Sequence, residues 1–286
     1  MRSRALPTAV AAVALGVLAG CGEKTEPPAT TTPSAANCAP SRLATHTKGT
    51  LTVATDKPAY PPYFEADDPT NGKGFESAVA YAIAKQLGYS QSQVKWVVEP
   101  FGASYAPGPK SFDFDVNQIS ITPARATQVD FSSPYYTASQ AVVALKSSPA
   151  AKATSLADLK NAEIGVQIGT TSLDAVKSEI QPSTQEKVFD NSNDVVTALK
   201  QGQVQAIVTD LPTALYITAA QVQSATVVGQ FAAPGGKPDQ FGALLTKNSP
   251  LTPCISLAID DLRKSGELQQ ITDRWMSQAA KAPKLN

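Results

Sequence analysis

From Thr50 to the C-terminal region the chain alternates short extended runs with helical ones, and this rhythm limits the fold more than any other feature. "TLTVAT" opens it as an alternating strand. "ESAVAYAIAKQLG", residues 76–88, reads as a mostly buried helix ending at Gly88, which suits a left-handed C-cap. "VKWVVEP" and "DVNQIS" read as strands. The pattern then restarts. "QAVVAL", "EIGVQI", "KVFD", "VQAIVTD" and "ATVVGQF" are strands, separated by the helices "SLADLK" (capped by Ser155), "TSLDAVKSEI", "NSNDVVTALKQG" (capped by Asn191 or Ser192) and "LPTALYITAAQ". A Gly/Pro break, "AAPGGKPDQ", precedes the strand "FGALLT" and two closing helices. The first starts with Thr252 as N-cap and Pro253 at N1; the second is "ELQQITDRWMSQ". Strands alternating with helices predict α/β sheets. Roughly 240 folding residues suit two such lobes of about 120 each.

The first 48 residues follow a different logic. Arg2 and Arg4 form a basic region ahead of the apolar run Ala9 to Leu18, which is too short to span a bilayer. A plain secretory signal cut near "LAG" fits this pattern. So does a lipoprotein signal, because "Leu18-Ala19-Gly20-Cys21" resembles a bacterial lipobox. On that reading residues 1–20 are removed, and Cys21 carries a thioether-linked lipid that holds the protein at a membrane face. Residues 21–48 are rich in Pro, Thr, Ala and Ser and are expected to be a disordered tether in which His46, the chain's one histidine, is solvated.

Composition narrows the function. The 24 basic and 24 acidic residues balance, which argues against nucleic acid as a partner. Without Arg2 and Arg4 the remainder is slightly acidic. The three cysteines form no CxxC or Cys/His cluster, so no metal site is expected. With Cys21 committed to lipid, Cys38 and Cys254 remain as a pair outside the cytoplasm. They are expected to form a disulfide that staples the tether to the lobe holding Cys254.

Ligands of open α/β sheets bind beyond the carboxyl ends of strands. Asp56 follows "LTVAT"; Ser120, Thr122 and Arg125 follow "DVNQI"; Gly169, Thr170 and Thr171 follow "IGVQI"; Asp210 follows "AIVT". With "GTLTVATDKPAYPPYFE", "GFESAVAYAIAKQLG", "ISITPARATQVDFSSPYY", "IGVQIGTTS", "DVVTALKQGQVQAIVTD" and "SGELQQITDRW" in order over about residues 49–278, the chain resembles the family 3 extracellular solute-binding proteins, the amino-acid receptors of ATP-binding-cassette importers. Within that family it resembles the glutamine and lysine/arginine/ornithine receptors, whose lobe 1 acid Asp56 matches. Two positions depart from the family pattern: Ala78 stands where a second helix acid is usual, and Gln118 where a small residue is frequent.

The resemblance implies a type II periplasmic-binding-protein fold. Lobe 1 would comprise 49–137 and 237–286, and lobe 2 138–236, closing on a ligand about a hinge. It implies no cofactor, a monomer, and a free L-amino acid as ligand, delivered to the importer's transmembrane subunits.

A zwitterion buried between lobes needs both charges paired. Arg125 offers a planar fork to a carboxylate, with the Ser120 and Thr171 N–H groups beside it. Asp210, the Ser120 hydroxyl and the Gln118 carbonyl would receive the ammonium. Tyr60 and Phe101 would flank the ligand side chain, or lie in the core. Asp56 would contact a polar or cationic side chain, or order its own turn; Gln167 would line the same pocket. Thr122 reads as an N-cap and Glu76 as a first-turn helix stabiliser. Two other functions stay open on the residues: an enzyme on the same fold, as in cyclohexadienyl dehydratases, and a sensor acting through a separate partner.

Overall fold

The computed structural model describes Ser34, residues 37–277 and residues 282–285. The expected signal and the Cys21 lipidation site lie outside these residues.

Two five-stranded mixed sheets form the two lobes. In lobe 1 the order is β2-β1-β3-β10-β4, with β1 Leu51–Thr55, β2 Val94–Val98, β3 Phe114–Asp115, β4 Val129–Ala138 and β10 Asp239–Thr246. β1 pairs parallel with β2 and β3, while β10 runs antiparallel to β3 and β4. Helices α1 (Phe75–Gln86), α7 (Thr252–Ser265) and α8 (Glu267–Met276) pack together on this lobe. α1 ends as expected: Gly88 takes a left-handed φ of 84°, and the Tyr89 N–H reaches back to the Ala84 carbonyl at 2.9 Å.

In lobe 2 the order is β7-β6-β8-β5-β9, with β5 Gln140–Leu145, β6 Ile164–Gln167, β7 Lys187–Phe189, β8 Ala206–Asp210 and β9 Ala225–Phe231. Its sheet is covered on both faces. Leu173, Ala175 and Val176 of the α4 segment (Thr171–Ala175 and the π-turn after it) pack on one face. Val195, Val196 and Leu199 of α5 (Ser192–Lys200) and Leu211, Ala214 and Ile217 of the α6 segment (Leu211–Tyr216 and its own π-turn) pack on the other.

The lobes are joined at two places. β4 passes into β5 through Ser139 alone, and β9 returns to β10 through residues 232–238. Asp239 pairs with Ala138, and Gln140 with Phe231, so the two crossings lie side by side.

Several local expectations change. "DVNQIS" is not a full strand: β3 ends at Asp115, Gln118 turns into a left-handed φ of 49°, and a single bridge, Ser120 to Phe241, follows. "VDFSSPYYTA", to which the sequence pattern assigns no element, is the ten-residue β4. Pro134, which has no N–H to donate, sits opposite Gly242 at a register shift. Ser155 does not cap a helix. Instead Asp158 accepts from the Thr154 and Ser155 N–H groups at 2.9 and 3.0 Å. Thr252 is the first residue of α7 rather than its cap, and its hydroxyl donates to Asp130.

The tether is ordered where described. Cys38 is disulfide-bonded to Cys254, and both are buried in the lobe 1 core. The His46 backbone N–H donates to Asp113 at 2.6 Å, while its side chain is exposed. The far C-terminus departs from the expected lobe 1 span. Residues 282–285 run along β9 of lobe 2, with Leu285 in the lobe 2 core.

Candidate functional site

A cavity of about 620 Å³ lies between the lobes and is lined from both. Every residue placed in the site from sequence lines it: Asp56, Tyr60, Phe101, Gln118, Ser120 and Arg125 from lobe 1, and Gln167, Thr171 and Asp210 from lobe 2.

Arg125 projects from the single-turn helix α3 (Pro123–Ala126). Thr122 caps that turn, its hydroxyl accepting from the Arg125 N–H at 3.2 Å, and Pro123 supplies the preset φ of a first helical position. The guanidinium is held four ways. Nη1 donates to the Ser120 carbonyl at 2.7 Å, and Nη2 to the Gly169 carbonyl of lobe 2 at 2.9 Å. Its carbon lies 4.8 Å from the Tyr105 ring centroid and 5.4 Å from that of Phe101. Burial works against its charge and lowers its pKa; Tyr105, Asp239 and Asp210 act in the other direction. Nη1 and Nη2 each keep a second N–H besides these bonds, so the fork is oriented by the protein but not used up.

Next to it the Ser120 and Thr171 hydroxyls approach to 3.4 Å across the cleft. Thr171 opens α4, and its hydroxyl also donates to Asp239 at 3.1 Å. Asp210 stands at the N-cap of α6, yet its carboxylate caps nothing. It accepts instead from the Gln140 side-chain amide at 3.0 Å. Burial first, and the neighbouring Asp239 charge second, push its pKa up to about 8.

Glu76 does more than sit in a first turn. It is fully buried, accepts from the Gln118 N–H at 2.7 Å and the Tyr135 hydroxyl at 2.5 Å, and also receives the Gln118 side-chain amide. Burial raises it to about 7. This clamp holds Gln118 in its left-handed conformation at the cavity wall. Asp56 orders its own loop, accepting from the Lys57 N–H at 2.6 Å and from the Phe101 N–H at 3.3 Å. Phe101 is therefore positioned by Asp56; it packs partly buried against the small core cluster around Ala54 and Ile119 and turns its ring toward the Arg125 guanidinium. Tyr60 reaches across to Asn193 of lobe 2, and Gln167 accepts from the Ser192 hydroxyl at 2.6 Å.

Sequence reasoning missed Gln140, Asp239, Tyr63, Tyr105 and Asn117. Gln140 and Asp239 each begin a strand leaving a lobe crossing, and Asp239 lies within the flagged "AAPGGKPDQ" break, at its penultimate position. A polar residue opening an otherwise apolar strand is the signal that could have found both. Tyr63 hydrogen-bonds Thr213 across the cleft at 3.2 Å from a loop with no periodic pattern.

The model of the bacterial extracellular solute-binding proteins, family 3, matches residues 51–278. The chain is 29% identical over 234 residues to the L-cystine-binding protein TcyJ of Escherichia coli (strain K12), covering 80% of this chain and 83% of that protein. It is 30% identical over 220 residues to the arginine-binding extracellular protein ArtP of Bacillus subtilis (strain 168), covering 75% and 82%. Among solved structures it is similar to an ancestral arginine-binding protein bound to arginine, with a TM-score of 0.66 at 34% identity over 80% of this chain and 98% of that one. With its two lobes, its hinge and a cleft lined from both sides, the chain belongs to the bacterial extracellular solute-binding proteins, family 3.

Proposed function

We propose that this protein captures a free L-α-amino acid with a polar or basic side chain outside the cytoplasm and delivers it to an ATP-binding-cassette importer. The carrying observation is Arg125, a nearly buried guanidinium fixed by one carbonyl from each lobe at the cleft, with the Ser120 and Thr171 hydroxyls beside it. It suits an α-carboxylate, a planar anion that a guanidinium fork binds in two-point fashion. Asp210 on the opposite wall suits the ammonium, with the Ser120 hydroxyl and Gln118 completing its surroundings.

The side-chain class follows from charge. The cavity wall carries Asp56, Asp190, Asp194 and Asp210 against Lys57 and Arg125, and Lys57 lies 3.6 Å from Asp67. An excess of acid in a partly enclosed cleft favours a cationic or donor-rich side chain. The relatives named for arginine fit this reading. Tyr60, Phe101 and Gln167 supply the walls around that side chain.

Cys21 is the lipidated N-terminus in this proposal, and the acyl chains hold the receptor near the importer's transmembrane subunits. Among the described residues no helix is long and apolar enough to cross a membrane. A thermal-shift panel of the twenty amino acids, ornithine and citrulline tests the ligand class, since a ligand that binds only the native state raises the melting temperature. A shift confined to polar or basic L-amino acids supports the reading; no shift with any of them overturns it.

A further inference from the structure

Gln140 is fully buried at the first residue of β5, where the chain has just crossed between lobes. Its side-chain nitrogen donates to Asp210 at 3.0 Å and to Asp239 at 2.6 Å. The two acceptor oxygens are therefore no further apart than those bonds laid end to end. Its side-chain oxygen accepts from the Ser172 hydroxyl at 2.6 Å. Asp239 opens β10 at the second crossing and also accepts from Thr171 at 3.1 Å. One amide thus ties both crossings to α4 and to the end of β8.

Two carboxylates this close, Asp239 buried and Asp210 half-buried at the cavity wall, are not both ionised at low cost. The groups facing them supply little relief. Among the described residues Arg125 is the cation that acts on Asp210, against Asp239 and Glu76, and Tyr63 and Tyr136 also face it. Asp174 adds a further negative charge beside Asp239.

We propose that Gln140 and Asp239 are positioning residues for ligand capture: the Gln140 amide holds Asp210 beside the Asp239 carboxylate so that Asp210 keeps a proton, and the ligand ammonium displaces that proton when it reaches Asp210. The inference rests on the amino-acid reading above. The step balances simply. The Asp210 O–H bond breaks, its proton goes to solvent, and the carboxylate left behind pairs with an ammonium that keeps all three of its own protons. The raised Asp210 pKa, about 8, agrees with a proton present at neutral pH. Capture is then coupled to pH at the hinge: acid opposes closure and mild alkali favours it.

The test is isothermal titration calorimetry with L-arginine, and with L-glutamine, in phosphate and in Tris at pH 6.5. The expected result is close to one proton released per ligand, read from the difference in observed heat between buffers. Affinity should rise about tenfold per pH unit from pH 6 to 7 and flatten near pH 8. Asp239→Asn keeps an acceptor oxygen for Gln140 and Thr171 but removes the neighbouring charge. It should lower the released-proton number and raise the affinity at pH 6 relative to wild type. Binding with equal heats in both buffers and a flat pH profile overturns the proposal alone. So does an Asp239→Asn variant that loses the same factor at every pH with its proton count unchanged. No binding of either amino acid at any pH from 6 to 9 overturns this proposal and the ligand reading together.

Discussion

Glu76 and Asp115 are acids kept out of water and Asp210 is half-buried at the cavity wall, and each keeps its proton to an unusually high pH. Glu76 is raised to about 7 and Asp115 to about 8, burial being the main cause in both. Asp115 is fully buried; one of its oxygens accepts from the Ser104 hydroxyl and the other has no partner. Folded pKa values above the unfolded ones mean that these groups support the fold fully below the ordinary carboxylate range. That support is lost as pH rises through about 7 and 8. The melting temperature of the ligand-free protein should therefore fall between pH 5 and pH 9. Asp115→Asn should be close to neutral at pH 5 and stabilising by roughly 1–3 kcal/mol at pH 9; thermal denaturation at both pH values checks this, and equal effects at both would contradict it. Asp56 acts differently, because its oxygens already hold the Lys57 and Phe101 N–H groups. If it also reads the ligand side chain, Asp56→Ala should weaken cationic and amide ligands while sparing small neutral ones, altering the ligand ranking. A uniform loss across a calorimetric panel would leave it only the loop.

At the scale of elements, α1, β1, β5, β6 and β8 were legible because each carries an apolar run with the right period and a capping or turn residue at its end. The elements that escaped were those set by long-range contacts. β4 is assigned no element from sequence and is set by β10, which pairs along most of its length. Gln118 leaves the strand because Glu76, 42 residues away, accepts its N–H. The C-terminal run 282–285 has no strand signature of its own. It is placed by the Gln230 N–H donating to the Pro283 carbonyl at 2.7 Å and by the Leu285 N–H donating to the Gln230 carbonyl at 2.8 Å. Gly229 makes room for it: a methyl there would lie 2.6 Å from Leu285 Cγ. Gly229→Ala should expel Leu285 and lower the stability of lobe 2 by about 1–3 kcal/mol. Hydrogen exchange should show faster exchange at Gln230 and Leu285, and unchanged protection there would contradict the assignment. The candidate site was more legible than its supports. Residues at strand ends were found; Gln140 and Asp239, whose importance comes from where two crossings meet, were not.

In the whole molecule, two lobes with separate cores meet at a cleft and share a hinge. The Cys38–Cys254 bond joins a segment ahead of β1 to α7 across 216 positions of sequence. It constrains the unfolded chain, so Cys254→Ser should cost about 2–4 kcal/mol of stability while ligand affinity stays within a few fold, since neither cysteine lines the cavity. Chemical denaturation and calorimetry on the same variant separate the two effects. The central claim is that Arg125, bonded to Ser120 of lobe 1 and Gly169 of lobe 2, receives the carboxylate common to all amino acids. The most direct measurement is isothermal titration calorimetry of wild type and Arg125→Ala over one panel of L-amino acids. Loss of the carboxylate's main partner in a closed cleft should cost roughly 3–5 kcal/mol, or about two to four decades in affinity, by a similar factor for every ligand that wild type binds. An Arg125→Ala variant that binds those ligands as wild type does would contradict the account.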